Sequence, residues 1–238
     1  MKAMLLAAGL GTRLKPFTDK HPKALALVNG KTLLQRNLEY LKLYDIHDVI
    51  INVHHFAEQI IQFLESNQYF GMNITISDET DEVLETGGGI KKAAWFYNDH
   101  LPFLVMNVDI LTTLNLKEFI SHHQIQNPIA TLAVSNRESS RCFLFDKNKN
   151  LCGWKNKKTN EIKISRKLDS YLEKSFSGIH IIHPELFQYM NMEGKFSIVD
   201  TYLNVAKEKD IKYFDHSDSI LIDVGKPDSI IEAEKKFH

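Results

Sequence analysis

The stretch Lys2-Ala-Met-Leu-Leu-Ala7 runs directly into Ala8-Gly-Leu-Gly-Thr-Arg-Leu-Lys-Pro16, and Pro22-Lys23 follows a few residues later. An apolar run that ends in small residues predicts a buried strand and then a tight turn, because glycine adopts backbone angles that a Cβ atom forbids. Amides exposed in such a turn can donate to phosphate oxygens, and Arg13 and Lys23 add fixed positive charge. The sequence therefore predicts a polyphosphate cradle, with a plain tight turn as the alternative.

Composition and charge limit the class of protein and its partners. The chain has 238 residues, 43% of them hydrophobic, so it can form a sizeable core as one large or two small domains. A net charge of −1 without a long basic run predicts no nucleic-acid partner and no membrane surface. No segment approaches the roughly 18 apolar residues that span a membrane. Cys142 and Cys152 are predicted to be free thiols, and the protein is predicted to be cytoplasmic.

Hydrophobic periodicity predicts an α/β fold for the first half of the chain. Strands separated by helices of ordinary length indicate a Rossmann-like, mostly parallel sheet flanked by helices, with right-handed crossovers. The predicted helices cover residues 31–44, 56–66 and 88–97, and the predicted strands cover residues 49–53, 73–77 and 103–106.

From residue 128 onward, short strand-like pieces separated by polar turns predict a small antiparallel extension, which covers most of residues 128–183. Strands are expected at residues 176–182 and 219–224, and helices at 200–207 and 228–237. No repeat or long linker is present. We therefore expect a single domain over residues 1–238, without a C-terminal β-helix domain.

Two aspartates follow apolar runs that read as buried strands. Asn107 and Asp109 come at the end of Leu101–Met106 and face the same side, and Asp223 ends the run Ile220–Ile222. Ligands of open α/β sheets bind beyond the carboxyl ends of strands, and carboxylate oxygens suit Mg²⁺. The alternative is that each aspartate only caps a turn, but two such positions favour a shared metal site.

The glycine run Leu84-Glu-Thr-Gly-Gly-Gly-Ile90 is predicted to precede a helix. Three consecutive glycines discourage regular structure and let the backbone approach a ligand closely, with a flexible hinge as the alternative. Trp154 is either a core aromatic or a platform for a ligand. The adjacent histidine pairs, at residues 54–55 and 122–123, point in different directions and do not predict a zinc site.

The motif Leu6-Ala-Ala-Gly-Leu-Gly-Thr-Arg-Leu14, followed by His21-Pro-Lys-Ala-Leu25, resembles the signature of sugar-1-phosphate nucleotidylyltransferases. It is not the dehydrogenase fingerprint, which needs GxGxxG and a later acidic residue, nor a Walker loop, which needs GK[ST]. The segments Asn107-Val-Asp109 and Ile222-Asp-Val-Gly225 resemble the metal-binding segments of the same family. Val108 departs from the glycine usual there, which predicts crowding beside Asn107.

The resemblance implies transfer of a nucleotidyl group from an NTP to a sugar-1-phosphate, with release of pyrophosphate and Mg²⁺ as cofactor. It implies catalytic roles for Arg13 and Lys23 and metal ligation by Asp109 and Asp223. It makes the antiparallel extension the sugar-binding part. The implied nucleotide-binding residues are Ala8, Gly9, Gly11, Thr12, Leu84, Thr86, Gly87 and Gly88, and the implied sugar-binding residues are Asn107, Trp154 and Gly178.

Within the family, Glu85-Thr-Gly-Gly-Gly-Ile90 and Phe176-Ser-Gly-Ile179 are most similar to N-acetylmuramic-acid α-1-phosphate uridylyltransferases, and next to short mannose-1-phosphate guanylyltransferase-like members. The substrates implied are UTP and N-acetylmuramic acid 1-phosphate or another N-acetylhexosamine 1-phosphate. A cation should face the lactyl carboxylate of that sugar, and Arg141, Lys155 and Lys174 are the candidates.

The sequence leaves open several further substrates and one function of another class. The further substrate pairs are those of guanylyl transfer to mannose-1-phosphate, thymidylyl or uridylyl transfer to glucose-1-phosphate, and cytidylyl transfer to phosphocholine. The last would need an aromatic cage for the quaternary ammonium. The function of another class is that of a non-catalytic nucleotide-sugar sensor. We expect a monomer or a small homo-oligomer.

Overall fold

The computed structural model describes residues 1–238, and a mixed sheet runs through its centre. The strands are β1 (Ala3–Leu6), β2 (Leu27–Val28), β3 (Lys31–Thr32), β4 (Asp48–Val53), β5 (Asn73–Asp78), β6 (Phe103–Asn107), β7 (Ile110–Thr112), β8 (Ala130–Ser135), β9 (Arg141–Phe145), β10 (Leu151–Asn156), β11 (Glu161–Ile164), β12 (Leu172–Ile182), β13 (Ile211–Asp215) and β14 (Leu221–Asp223). The α-helices are α1 (Leu33–Lys42), α2 (Ala57–Ser66), α3 (Glu85–Lys92), α4 (Leu116–Gln126), α5 (Ile198–Val205) and α6 (Pro227–Lys236).

Seven strands form the main sheet in the order β5-β4-β1-β6-β12-β8-β13, and only β12 runs antiparallel to its neighbours. The strand β1 lies between two parallel partners, with Ala3 opposite Val49 of β4 and Leu104 of β6. Helices connect the parallel strands. The predicted mostly parallel, Rossmann-like sheet is therefore confirmed.

The long strand β12 joins this sheet to an antiparallel branch. Its first residues pair with β9, which continues through β10 to β11, and its last residues pair with β6 and β8. The register shifts between Phe176 and His180, and Gly178 lies in this irregular stretch with a φ of +71°. Such an irregularity bends the strand and lets one chain segment serve both branches.

Alternating side chains of the main sheet build two separate cores. On β1, Leu5 packs with α1, α2 and α4 on one face, whereas Met4 packs with α3 and α5 on the other. All four residues of β1 are apolar because a central parallel strand is covered on both faces. The edge where β1 and β6 end is thus held rigidly from both sides.

Several boundaries differ from the sequence prediction. The glycine run does not precede a helix, so that prediction was wrong: α3 begins at Glu85 and contains all three glycines. The strands β11 and β13 were not predicted, and β13 closes the edge of the main sheet against β8. Both cysteines are free, as predicted, and both are buried. None of the helices has the length and apolar character needed to cross a membrane.

Candidate nucleotide and sugar-phosphate site

A cleft of about 590 Å³ opens beyond the carboxyl ends of β1 and β6. Side chains and loop amides from several strands converge at this edge of a parallel sheet, which is why ligands bind there. The predicted site residues that line the cleft are Ala8, Gly9, Gly11, Thr12, Arg13, Lys23, Thr86, Asn107 and Asp109.

The turn after β1 has free amides, as a phosphate cradle requires. Gly11 has a φ of +61°, and a Cβ atom there would lie 2.9 Å from Cγ2 of Thr18. Gly9 does not have a positive φ, and the space beside it is open, so its missing side chain leaves room for a ligand. The amides of Gly9, Leu10 and Gly11 have no acceptor within the chain. Phosphate oxygens can accept from such a run of amides.

Lys23 lies at the start of a single 3-10 turn, Lys23–Leu25, beneath this loop. Its side chain is 9% exposed, and its ammonium group donates to Oδ2 of Asp109, whose side chain is 20% exposed. The pair therefore forms a mostly buried charge pair at the base of the cleft. Arg13, by contrast, extends from the loop with a side chain that is 59% exposed.

A short antiparallel pair of strands brings the backbones of the two predicted metal ligands together. β7 follows Asp109 and pairs with β14, so that Asp223 lies opposite Ile110. The amide of Val224 donates to the carbonyl of Asp109 over 2.8 Å. Oδ1 of Asp223 is buried without a hydrogen-bond partner and lies 4.0 Å from a guanidinium nitrogen of Arg13. No group of three or more His, Cys, Asp or Glu residues could hold a metal ion.

The three glycines of α3 are required by packing. A Cβ atom on Gly87 would lie 2.4 Å from the Phe196 ring, and one on Gly88 would lie 2.2 Å from the carbonyl oxygen of Gly194. The amides of Gly87 and Gly88 donate to the carbonyl of Phe196 over 2.9 and 3.3 Å, so they are not free for a ligand. Close tertiary contact thus explains why this helix contains glycines.

Around α3, Thr86 lines the cleft, whereas Leu84, Gly87 and Gly88 do not. The hydroxyl of Thr86 accepts a bond from the amide of Ile198 over 3.0 Å. This contact joins the start of α3 to the start of α5.

A second cleft, of about 920 Å³, adjoins the first and shares Arg13, Arg141 and Gly225 with it. The predicted residues Trp154 and Asp223 line this second cleft. Further cations line it as well, namely Arg137, Lys158 and Lys226. The loop of residues 7–11 after β1 is called the phosphate loop below. The two clefts together offer a continuous, mainly basic surface from this loop to the antiparallel branch.

Gly178 lies outside both linings. A Cβ atom there would lie 2.7 Å from Nδ2 of Asn107, so the glycine makes room for a side chain that lines the first cleft. Val108 is 4% exposed and packs in the core on one face of the sheet. Val108 also lines the first cleft beside Asn107, so the crowding expected there stays a prediction.

The three candidate cations for a sugar carboxylate differ in position. Lys155 pairs with Glu173 over 2.9 Å, and Lys174 pairs with Asp215 over 2.5 Å. Neither lines a cleft, whereas Arg141 lines both.

Sequence reasoning missed several residues of the cleft. Lys195 and Ser197 come from the loop before α5, and Lys195 lies 3.7 Å from the carboxylate of Glu85. Asn52 is 2% exposed within the apolar strand β4, and it accepts from the amides of Ala7 and Ala8. A polar residue in an apolar run was the available signal for Asn52.

The comparison with protein families agrees with this geometry. The nucleotidyl transferase family matches residues 2–143, which is more than half of the chain. The chain therefore belongs to the nucleotidyl transferase family, and the family resemblance seen in the sequence motifs is confirmed.

Two curated proteins and one solved structure illustrate what this chain is similar to. N-acetylmuramate alpha-1-phosphate uridylyltransferase of Caulobacter vibrioides is 28% identical, over 99% of this chain and 96% of the relative. Mannose-1-phosphate guanyltransferase of Yarrowia lipolytica is 27% identical over 98% of this chain, which spans 63% of that relative. A putative glucose-1-phosphate thymidylyltransferase from Bacillus anthracis, in complex with sucrose, superposes with a TM-score of 0.81 over 99% of this chain and 94% of its own. It is 22% identical, so it supports the fold alone.

Proposed function

We propose that this protein is a Mg²⁺-dependent nucleotidyltransferase that transfers the nucleotidyl group of an NTP to a sugar-1-phosphate and releases pyrophosphate. The observation that carries the proposal is the gathering of free loop amides, Arg13, Lys23 and two carboxylates at one end of the sheet. This is the set that a polyphosphate substrate needs, because catalysis of phosphoryl transfer is mostly positioning and electrostatic stabilisation.

In this reaction an oxygen of the sugar phosphate forms a bond to the α-phosphorus of the NTP. The bond from the α-phosphorus to the bridging oxygen breaks, and pyrophosphate leaves with its electron pair. Arg13 extends from the phosphate loop and offsets the charge that grows on the leaving pyrophosphate. Lys23, at the base of the cleft, holds the α-phosphate or the incoming sugar phosphate. The loop amides orient the triphosphate.

The residues present fit a magnesium ion. Asp109, just before β7, and Asp223, at the end of β14, supply hard carboxylate oxygens, and one oxygen of Asp223 is buried with no partner in the chain. Two carboxylates suffice because Mg²⁺ keeps several waters and binds substrate phosphates as well. When bound, the ion supplies charge neutralisation on the phosphate oxygens. Asp109 already accepts from Lys23, so the two carboxylates also fix the position of that cation.

For the substrates, we propose UTP and N-acetylmuramic acid 1-phosphate. Support comes from the Caulobacter relative, since the similarity covers 96% of its length, and from Arg141, which lines both clefts and can face a sugar carboxylate. Guanylyl transfer to mannose-1-phosphate is the second candidate, because the Yarrowia relative aligns with 98% of this chain.

Cytidylyl transfer to phosphocholine and a sensor role have less support. Phosphocholine carries a quaternary ammonium, and the second cleft is lined by five cations, Arg13, Arg137, Arg141, Lys158 and Lys226, which would repel it. A sensor without turnover would not need the charge pair of Lys23 and Asp109 beside a second carboxylate.

A pyrophosphate-release assay tests the proposal. The purified protein is incubated with Mg²⁺, each of the four NTPs and a panel of sugar-1-phosphates, with phosphocholine as a further acceptor. We expect release only when an NTP and a sugar-1-phosphate are both present, and the highest kcat/KM for the UTP and muramic acid pair. Binding of nucleotide without release over the whole panel would favour the sensor.

A further inference from the structure

A buried amide and a buried carboxylate join the two walls of the nucleotide cleft. Oδ1 of Asn52 accepts from the amides of Ala7 and Ala8, over 2.7 and 3.3 Å. Nδ2 of Asn52 donates to Oε1 of Glu79 over 2.8 Å, and Oε2 of Glu79 accepts from the amide of Leu84 over 3.3 Å. This chain of bonds runs from the start of the phosphate loop to the start of α3.

The pair is shielded from water and closely packed. Asn52 is 2% exposed and Glu79 is 1% exposed, and no cation forms an ion pair with Glu79. A Cβ atom on Gly89 would lie 2.7 Å from Oε1 of Glu79 and 2.9 Å from Nδ2 of Asn52. The third glycine of α3 therefore makes room for this pair beneath the helix.

The order of donors and acceptors along this series of hydrogen bonds is fixed. Backbone amides at both ends can only donate, so the group at position 52 must accept toward the phosphate loop, and the group at position 79 must accept toward Leu84. One amide and one ionised carboxylate satisfy every bond. Two amides would place donor against donor, and two carboxylates would place acceptor against acceptor.

We propose that Asn52 and Glu79 are positioning residues that set the phosphate loop against the nucleotide-binding wall at α3. The inference rests on the proposed function, because it assigns the pair's role to that same cleft. Neither residue would transfer a group. They hold the phosphate loop through the amides of Ala7 and Ala8, and the start of α3 through the amide of Leu84. The groups that contact a bound nucleotide from the two sides of the cleft are then already in position before it binds.

The donor order predicts which double substitution restores the site. Glu79→Gln leaves two amides in contact, and Asn52→Asp leaves two carboxylates in contact. In N52D/E79Q the new carboxylate accepts from the loop amides and from the new side-chain amide, whose oxygen accepts from Leu84. All the hydrogen bonds are then formed, and only the bond between positions 52 and 79 changes direction, with residue 79 as the donor. Glu82→Gln is the matched control, because Glu82 is an exposed residue of the same loop.

The first measurement needs no ligand. Amide hydrogen exchange at Ala7, Ala8 and Leu84 should accelerate by about tenfold or more in each single variant, because the unfavourable contact between positions 52 and 79 displaces the acceptors that hold these amides. It should return to the wild-type rate in N52D/E79Q, and E82Q should not differ from wild type. Exchange unchanged in both single variants, or fastest in the double variant, would overturn the inference. Single variants that do not fold alongside a folded double variant support it, whereas failure of all three to fold overturns it.

The second measurement uses calorimetric titration with UTP and with inorganic pyrophosphate in the presence of Mg²⁺. Each single variant should bind UTP about tenfold or more weakly than wild type, whereas the double variant should lie within about threefold of it. A wild-type protein that binds neither probe would contradict the proposed function, and the exchange data would still decide the role of the pair in holding the loop. Wild-type binding with additive losses in the double variant would contradict the positioning role alone.

Discussion

The ammonium group of Lys23 donates to the carboxylate of Asp109, joining two residues that are 86 positions apart in the sequence. Both side chains are largely removed from solvent, and both line the cleft. When one member of such a pair is removed, the other is left as an uncompensated charge. We therefore expect the pair to contribute to the stability of the protein as well as to the proposed reaction.

Lys23→Met should lower the single-turnover rate of nucleotidyl transfer by about 100-fold, the scale of losing one charge-stabilising group, and weaken NTP affinity far less. The reason is that charge on the reacting phosphates grows as the bond breaks. Rapid-quench kinetics and calorimetry separate the two quantities. An intact single-turnover rate with weaker NTP binding would make Lys23 a binding residue only.

Asp223→Asn should leave the unfolding temperature close to that of wild type, because Oδ1 of Asp223 has no hydrogen-bond partner to lose. Turnover at fixed Mg²⁺ should nevertheless fall by about 100-fold, since a neutral amide is a poor ligand for a hard cation. The Mg²⁺ concentration for half-maximal activity should rise. Asp109→Asn should lose activity similarly but also lose stability, because it removes the partner of Lys23. Turnover of Asp223→Asn within a few-fold of wild type would contradict the metal assignment.

Much of this site can be predicted from the sequence, because the end of an apolar run marks the end of a buried strand. The run up to Ala7 and the run up to Asp109 are apolar, and a parallel sheet brings the ends of such strands to one edge. Asp223 also ends an apolar run, but a separate antiparallel pair of strands, β7 and β14, places it beside Asp109. The contacts of α3 are not visible in the same way. Positions 87 and 88 have no room for a side chain because Phe196 and Gly194 lie against them from a loop about 100 residues away.

The pairing of Asn52 with Glu79 is equally hidden from sequence. Local patterns predict β4 and β5 but not which buried polar atoms meet between the segments that follow them. The same holds for β13, whose partner β8 lies some 80 residues earlier and is chosen by the tertiary crossover.

Two glycine-to-alanine substitutions should separate packing from ligand access. Gly88→Ala should destabilise the protein by about 1–3 kcal/mol, because the added Cβ would lie 2.2 Å from a backbone carbonyl oxygen. The cost of this clash outweighs the better helix propensity of alanine. Gly9→Ala should leave stability within about 0.5 kcal/mol of wild type, since its Cβ meets nothing within 4 Å. It should weaken UTP binding by about tenfold, because the methyl group enters the cleft. Chemical denaturation and calorimetry provide both quantities, and a destabilised Gly9→Ala would contradict this division.

Acid should destabilise the protein through buried histidines. Burial lowers the pKa of His123 and His216 to about 4 and that of His180 to about 3. The unfolded chain takes up these protons first, near its ordinary pKa of about 6.5, so the free energy of unfolding is highest above that pH and falls as pH drops toward 4. Each histidine contributes a slope of at most about 1.4 kcal/mol per pH unit. Denaturation of His216→Asn from pH 7 to 4 should show a smaller slope, whereas the exposed-site variant His55→Gln should not.

Arg141 should determine whether the enzyme prefers an acidic sugar. Arg141→Ala should lower kcat/KM for N-acetylmuramic acid 1-phosphate by about 10- to 100-fold, the value of one charge-assisted hydrogen bond. It should affect N-acetylglucosamine 1-phosphate much less, because that sugar lacks the lactyl carboxylate. Arg141→Lys should recover part of the preference, and Lys155→Ala serves as the matched control, since Lys155 pairs with Glu173 outside both clefts. Equal losses on both sugars would mean that Arg141 acts on the phosphates common to them and that the carboxylate is bound elsewhere.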